Sequence, residues 1–105
     1  MAIAIVGNVE IVVRTRGEHC PPHVHADCAA DKWDARFRFS FLNDEVEYWD
    51  TRPRQRAPSL ITLNRVGAAV FANLAACRRR WWETMRTTCL PNQLVRPIGG
   101  TLEAC

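Results

Sequence analysis

In KWDARFRFSFL, from Lys32 to Leu42, the first ten residues alternate without a break: Trp33, Ala35, Phe37, Phe39 and Phe41 fall on one side, and Lys32, Asp34, Arg36, Arg38 and Ser40 on the other. A period of two is that of an extended strand, whose successive side chains point to opposite faces. An aromatic row of this size requires a sheet with one covered face and an apolar element long enough to cover it.

The neighbouring segments supply both. VEIVVRTR, from Val9 to Arg16, also alternates, with Val9, Ile11, Val13 and Thr15 on one side. Gly17 ends that strand, and the Pro21-Pro22 pair excludes helix, so a new extended segment starts at His23. Asn43-Asp44 reads as a tight turn, after which Glu45 to Trp49 alternates again, and Thr51 to Ser59 is a polar connector punctuated by proline. Beyond Ser59 the spacing becomes helical, with Leu63, Val66, Val70, Leu74, Cys77, Trp81 and Met85 on one stripe and Ser59 or Thr62 as the cap. A helix of about 27 residues would be about 40 Å long, more than the breadth of a domain this size. Either Gly67 marks a bend or one end projects.

The expected fold is α+β: an antiparallel three- to four-stranded meander packed on one long C-terminal helix. At 105 residues the chain reads as a single domain with its core over about 9–86, and the segment 91–105, with Pro97 and Gly99-Gly100, as a loose tail. With 48% hydrophobic and 24% charged residues it resembles an ordinary soluble globular protein and not a disordered one.

Charge narrows the partners only a little. A net charge of +3 fits an acidic partner or nucleic acid but falls short of a dedicated polybasic binder. Thirteen arginines stand against one lysine, clustered at Arg52, Arg54 and Arg56 and at Arg78-Arg79-Arg80, a pattern shared by phosphate-gripping sites and by plain solvated surface. The cysteines, Cys20, Cys28, Cys77, Cys89 and Cys105, are odd in number and form no C-x-x-C pair, which favours a reducing cytoplasm over a disulfide framework. MAIAIVG lacks the basic start of a signal peptide, and no apolar run reaches the roughly 18 residues of a membrane span, so the expectation is a cytoplasmic chain with no membrane contact.

The stretch EHCPPHVHADC, from Glu18 to Cys28, holds all three histidines. Strand parity locates them. For the apolar faces of His23 to Cys28 and Trp33 to Phe41 to coincide, a two-residue turn at Ala30-Asp31 must set Val24 against Phe37, Ala26 against Ala35 and Cys28 against Trp33. The other face then brings His23 opposite Arg38, His25 opposite Arg36 and Asp27 opposite Asp34. A two-residue turn at Asn43-Asp44 would add Glu47 and Trp49, opposite Ser40 and Arg38. With the helix on the aromatic face, this polar face is expected to be open.

Three chemistries compete for it. His23 and His25 point the same way, and His19, Glu18, Asp27 or Cys20 would complete a metal site. No zinc-finger or H-E-x-x-H spacing is present, however, and two adjacent arginines repel a cation, so no metal or cofactor is assigned. Alternatively, His23 and His25 exchange protons with a phosphodiester held by Arg36 and Arg38, as a metal-independent ribonuclease would require, with His19 nearby and Glu18, Asp27 and Trp49 in support. The third reading is structural: His19 caps the proline turn, and His23 and His25 stack on arginine or Trp49. Cys20, Cys28 and Cys77 read as small buried hydrophobes.

The motif Glu18-His19-Cys20-Pro21-Pro22-His23-Val24-His25 resembles the signature of a family of small bacterial proteins catalogued as domain of unknown function 4160. That signature is an acidic residue, His, a variable position, Pro-Pro-His, a hydrophobic residue and His. The resemblance covers about Val9 to Met85 and includes an aromatic strand after the motif and a helix ending in tryptophan, here Trp81 or Trp82. Cys20 at the variable position, the arginine- and proline-rich segment Arg52 to Ser59 and the end TTCLPNQLV depart from the commoner pattern. The resemblance implies the toxin-like half of a bacterial toxin–antitoxin-type pair, with a small cognate partner protein. The leading expectation is therefore a toxin-like component acting on RNA. A non-catalytic protein- or nucleic-acid-binding module is the alternative, and a metal-binding module the third.

Overall fold

A computed structural model describes residues 2–90; the segment 91–105, expected to be a loose tail, lies outside the described residues. Five antiparallel strands follow one another in sheet order: β1 (Ala4–Val6), β2 (Val9–Val12), β3 (His23–Cys28), β4 (Trp33–Phe39) and β5 (Val46–Arg52). A short 3-10 turn, Arg54–Arg56, leads to helix α1 (Leu60–Ala72), and α2 (Leu74–Met85) follows. The fold is α+β, as the alternation and the helical stripe require.

The meander gains a strand that the sequence reading did not assign. Val6 pairs with Val9 around Gly7-Asn8, and Gly7 takes φ 58° at the first turn position, where the hairpin needs a residue without Cβ. β1 is short and Ile5 is exposed, so its period is hard to see. In β2 the ladder stops at Val12, although Val13 is still buried.

Between β3 and β4 the register is the expected one at every pair, from His23 opposite Arg38 to Cys28 opposite Trp33. Between β4 and β5 it is not. Glu47 lies opposite Arg38, two residues from the expected place, because Ser40 to Glu45 form a wider loop. Ser40 Oγ accepts from the Leu42 N–H and Asn43 Oδ1 from the Glu45 N–H, local bonds that replace the ladder. Further along, Phe37 pairs with Tyr48 but Arg36 with Asp50, so a bulge falls at Trp49.

The single long helix is two. Asn73 breaks it: its side-chain Nδ2 donates to the Ala69 carbonyl at 2.8 Å, its φ of −116° leaves the helical range, and α2 departs at 75°. Gly67 stays helical, and a Cβ built there would sit 3.5 Å from the Phe37 ring, in ordinary contact. Ser59 is the cap, its side chain accepting from the Thr62 N–H. The apolar stripe survives the bend: Val66, Val70, Leu74, Cys77 and Trp81 are buried with Val24, Ala26, Ala35, Phe37 and Phe39. Among the described residues no single helix is long and apolar enough to cross a membrane.

The cysteine expectation fails at one pair. Cys20 and Cys89 form a disulfide that ties the proline loop to the chain beyond α2. Cys28 and Cys77 are free and buried, and burial pushes the Cys77 thiol up to about 11.

Candidate functional site

Pro21 and Pro22 hold the chain extended ahead of β3, and the Phe39 N–H donates to the Pro22 carbonyl at 3.1 Å, extending the β3–β4 ladder past His23. His23 Nδ1 donates to the Pro21 carbonyl at 2.8 Å, an assignment that follows because a carbonyl oxygen only accepts. The ring is wedged between Trp49, 5.2 Å away edge-on, and Trp81 of α2, 5.3 Å away. It is 1% exposed. The polar face is therefore not fully open: the bend at Asn73 lets α2 carry Trp81 against a residue that the register sets opposite Arg38.

Glu18, itself only 7% exposed in its side chain, reaches both strand histidines. Its Oε2 lies 2.9 Å from His23 Nε2 and 3.1 Å from His25 Nε2. On its other side His25 Nδ1 is 3.0 Å from Asp34 Oδ1, and Arg14 in turn donates to Asp34 Oδ2. The two imidazoles stand 5.3 Å apart between centroids. Burial pushes the His23 pKa below its ordinary value, outweighing the Pro21 carbonyl and Glu18, which pull the other way.

Arg36 does not offer a free fork. Its Nε donates to Asp50 Oδ1 at 2.7 Å and its Nη2 to Asp50 Oδ2, while its guanidinium lies 3.9 Å over the Trp49 ring. The bulge makes this possible by presenting Trp49 and Asp50 to the same arginine. The paired hydrogen bonds from Arg36 hold the Asp50 carboxyl below its usual range and raise Arg36. Arg38 lies 4.0 Å from Glu47, and its Nε is buried without a partner among the described residues.

A cavity of about 280 Å³ opens beside this cluster, lined by Arg14, Arg16, Gly17, Glu18, His19, His25, Asp34, Arg36 and Arg52. Arg14 and Arg36 are paired with carboxylates, whereas Arg16 and Arg52 make no ion pair among the described residues. His19 is exposed at the rim, its Nδ1 donating to the Cys20 carbonyl at 2.9 Å.

Of the residues expected to form the site, Glu18, His23, His25, Arg36 and Trp49 come together; His19 sits 5.9 Å from His23 and 6.1 Å from Trp49, ring to ring. Arg38 reaches the same Trp49 ring, its guanidinium 5.3 Å from the centroid, and also borders a different hollow beside Pro21 and Cys89. Asp27 is exposed, and its one ion pair among the described residues is a 3.9 Å approach to Arg14. Asp34, Asp50, Arg14, Arg16 and Arg52 were missed. Asp34 was within reach of the register argument, being the diagonal neighbour of His25 once His25 faces Arg36. Asp50 was not, since its place depends on the bulge. No protein-family model, no curated protein and no solved structure matches the chain.

Proposed function

We propose that this chain is the toxin-like member of a bacterial toxin–antitoxin-type pair, that it works beside a small cognate partner protein, and that it acts on RNA in the cavity next to His25. The observation that carries the reading is that Arg16 and Arg52, which make no ion pair among the described residues, line the same cavity as His19 and His25. Arginine forks suit phosphate oxygens, and an imidazole beside them can serve as a general acid or base. His19 is the better proton carrier: Nδ1 is spent on the Cys20 carbonyl, so its basic Nε2 is the free end. His23 is buried with a partner at each nitrogen and acts as a positioning residue in this reading.

Induced expression in a bacterial host tests it, with growth and RNA integrity as readouts. Wild type should arrest growth and fragment RNA, while His19→Ala and the Arg16→Ala, Arg52→Ala pair should do neither. Equal arrest by all three would sink it. The second reading, a module that binds RNA or a partner without cleavage, is favoured by the engaged nitrogens of His23 and His25. It predicts retention of RNA on the purified protein with the RNA intact.

A further inference from the structure

Four ring nitrogens, those of His23 and His25, all face groups that can only accept once Glu18 and Asp34 are ionised. Each Nδ1 has its own acceptor, the Pro21 carbonyl for His23 and the Asp34 carboxylate for His25. Both Nε2 atoms converge on the one Glu18 carboxylate, at 2.9 and 3.1 Å. A neutral His23 keeps its proton on Nδ1 and turns a lone pair toward Glu18, and a neutral His25, in either tautomer, turns a lone pair toward Glu18 or Asp34, in a largely buried space. Protonating both would satisfy the geometry only by burying two imidazolium charges side by side.

We propose that Glu18, His23 and His25 bind one divalent transition-metal ion, with zinc the best fit. One nitrogen from each imidazole and one Glu18 oxygen lie within 4.8 Å of one another, and ligands around tetrahedral zinc at about 2.0–2.1 Å stand roughly 3.3 Å apart. Two imidazoles and one carboxylate are a common borderline-soft donor set, and a fourth position is left to the cavity. The outer contacts also match a metal site: ligating histidines usually donate their other N–H to a carbonyl or carboxylate, as these do to Pro21 and Asp34. A divalent ion replaces two protons, so the local charge is the same as with both histidines protonated.

The neighbouring arginines oppose a cation, but two of the four are paired, Arg36 with Asp50 and Arg14 with Asp34, and Glu18 itself carries a carboxylate to the ion; Arg16 and Arg52 remain on the cavity lining without an ion pair among the described residues. The ion would sit at the inner wall of the cavity, where its open position could take water or an anionic oxygen. The inference concerns binding alone, so it stands or falls separately from the action on RNA.

The test is cobalt and zinc titration of the untagged, chelator-treated, unreduced full chain. Cobalt should bind one to one with visible bands typical of nitrogen and oxygen ligands and without a sulfur charge-transfer band, and zinc should displace it. Glu18→Gln and His25→Gln, checked for native circular dichroism, should lose the bands. Asp34→Asn should weaken binding about 10–100-fold as a positioning change, and His19→Gln should leave it intact. Independently of any variant, zinc should shift the ring-proton resonances of His23 and His25 in the wild type more than those of His19. A thiolate band, the absence of binding with cobalt in large excess, or binding unchanged in both Glu18→Gln and His25→Gln would overturn the proposal.

Discussion

Arg36 lies over Trp49, its guanidinium carbon 3.9 Å from the ring centroid, and from there its fork closes on Asp50. The stacked ring limits where the guanidinium can go, and the bulge at Trp49 puts the carboxylate in its path. Removing Arg36 should therefore cost more than a surface ion pair, since Asp50 would lose two charge-assisted bonds. Arg36→Ala should lower stability by about 1.5–3 kcal/mol in urea unfolding, whereas Arg79→Ala, at an exposed position of α2, should stay within about 0.5 kcal/mol.

The same pair sets an acid limb. Asp50 is held below its ordinary pKa in the folded chain, so the unfolded chain binds its proton first as the pH falls. Its stabilising share is complete above the ordinary aspartate range and is lost as the pH drops through the lowered folded value. Unfolding midpoints measured across the acid range should fall less steeply for Asp50→Asn than for the wild type. Parallel curves would remove Asp50 from the account.

Trp81 and Trp82 are neighbours with opposite fates. Trp81 is fully buried against His23 and Phe39, while Trp82 is 43% exposed. Trp81→Ala should cost about 3–5 kcal/mol, and Trp82→Ala should change little. The indole Nε1 of Trp81 is buried with no partner among the described residues, so Trp81→Phe should cost distinctly less than Trp81→Ala.

Arg86 ends α2 in the left-handed conformation, φ 56°, with its N–H on the Trp82 carbonyl at 2.9 Å. A residue with a Cβ is disfavoured there, by roughly 1–2 kcal/mol relative to glycine. Arg86→Gly should raise the melting temperature, by an amount equivalent to about 1 kcal/mol. An unchanged or lower value would mean that the Arg86 side chain contributes more than its conformation costs.

Cys28 and Cys77 are buried, and the Cys77 thiol titrates near 11 because burial disfavours the thiolate. Peptide mapping after alkylation at pH 8 should find both unmodified in the folded chain and both modified in denaturant. Modification of either at native conditions would show that the core opens locally.

How much of this could be read from the sequence depended on the range of the interactions involved. The β3–β4 register followed from parity alone, because one face had to hold Phe37 and Trp33, and a one-residue slip would have turned them outward. The β4–β5 register depended on the loop from Ser40 to Glu45, which Arg78 of α2 holds through the Ser40 and Asn43 carbonyls. No local pattern reports a contact across 38 residues. The helical stripe was legible through Trp81, but the break was not, since the side chain of Asn73 and not the backbone freedom of Gly67 supplies it. At the site the motif brought Glu18 and the histidines to notice. His23 is covered in part by Trp81, and so through a bend that the stripe does not reveal.

The Cys20–Cys89 bond spans 69 residues and closes β3, β4, β5 and both helices into one covalent ring. The exposed arginines of the connector, Arg54 and Arg56, are the natural place for a protease to cut. A single nick there leaves the histidine hairpin and the helices on one molecule, which separates into two pieces only after reduction. The chain can thus lose its continuity without losing its parts.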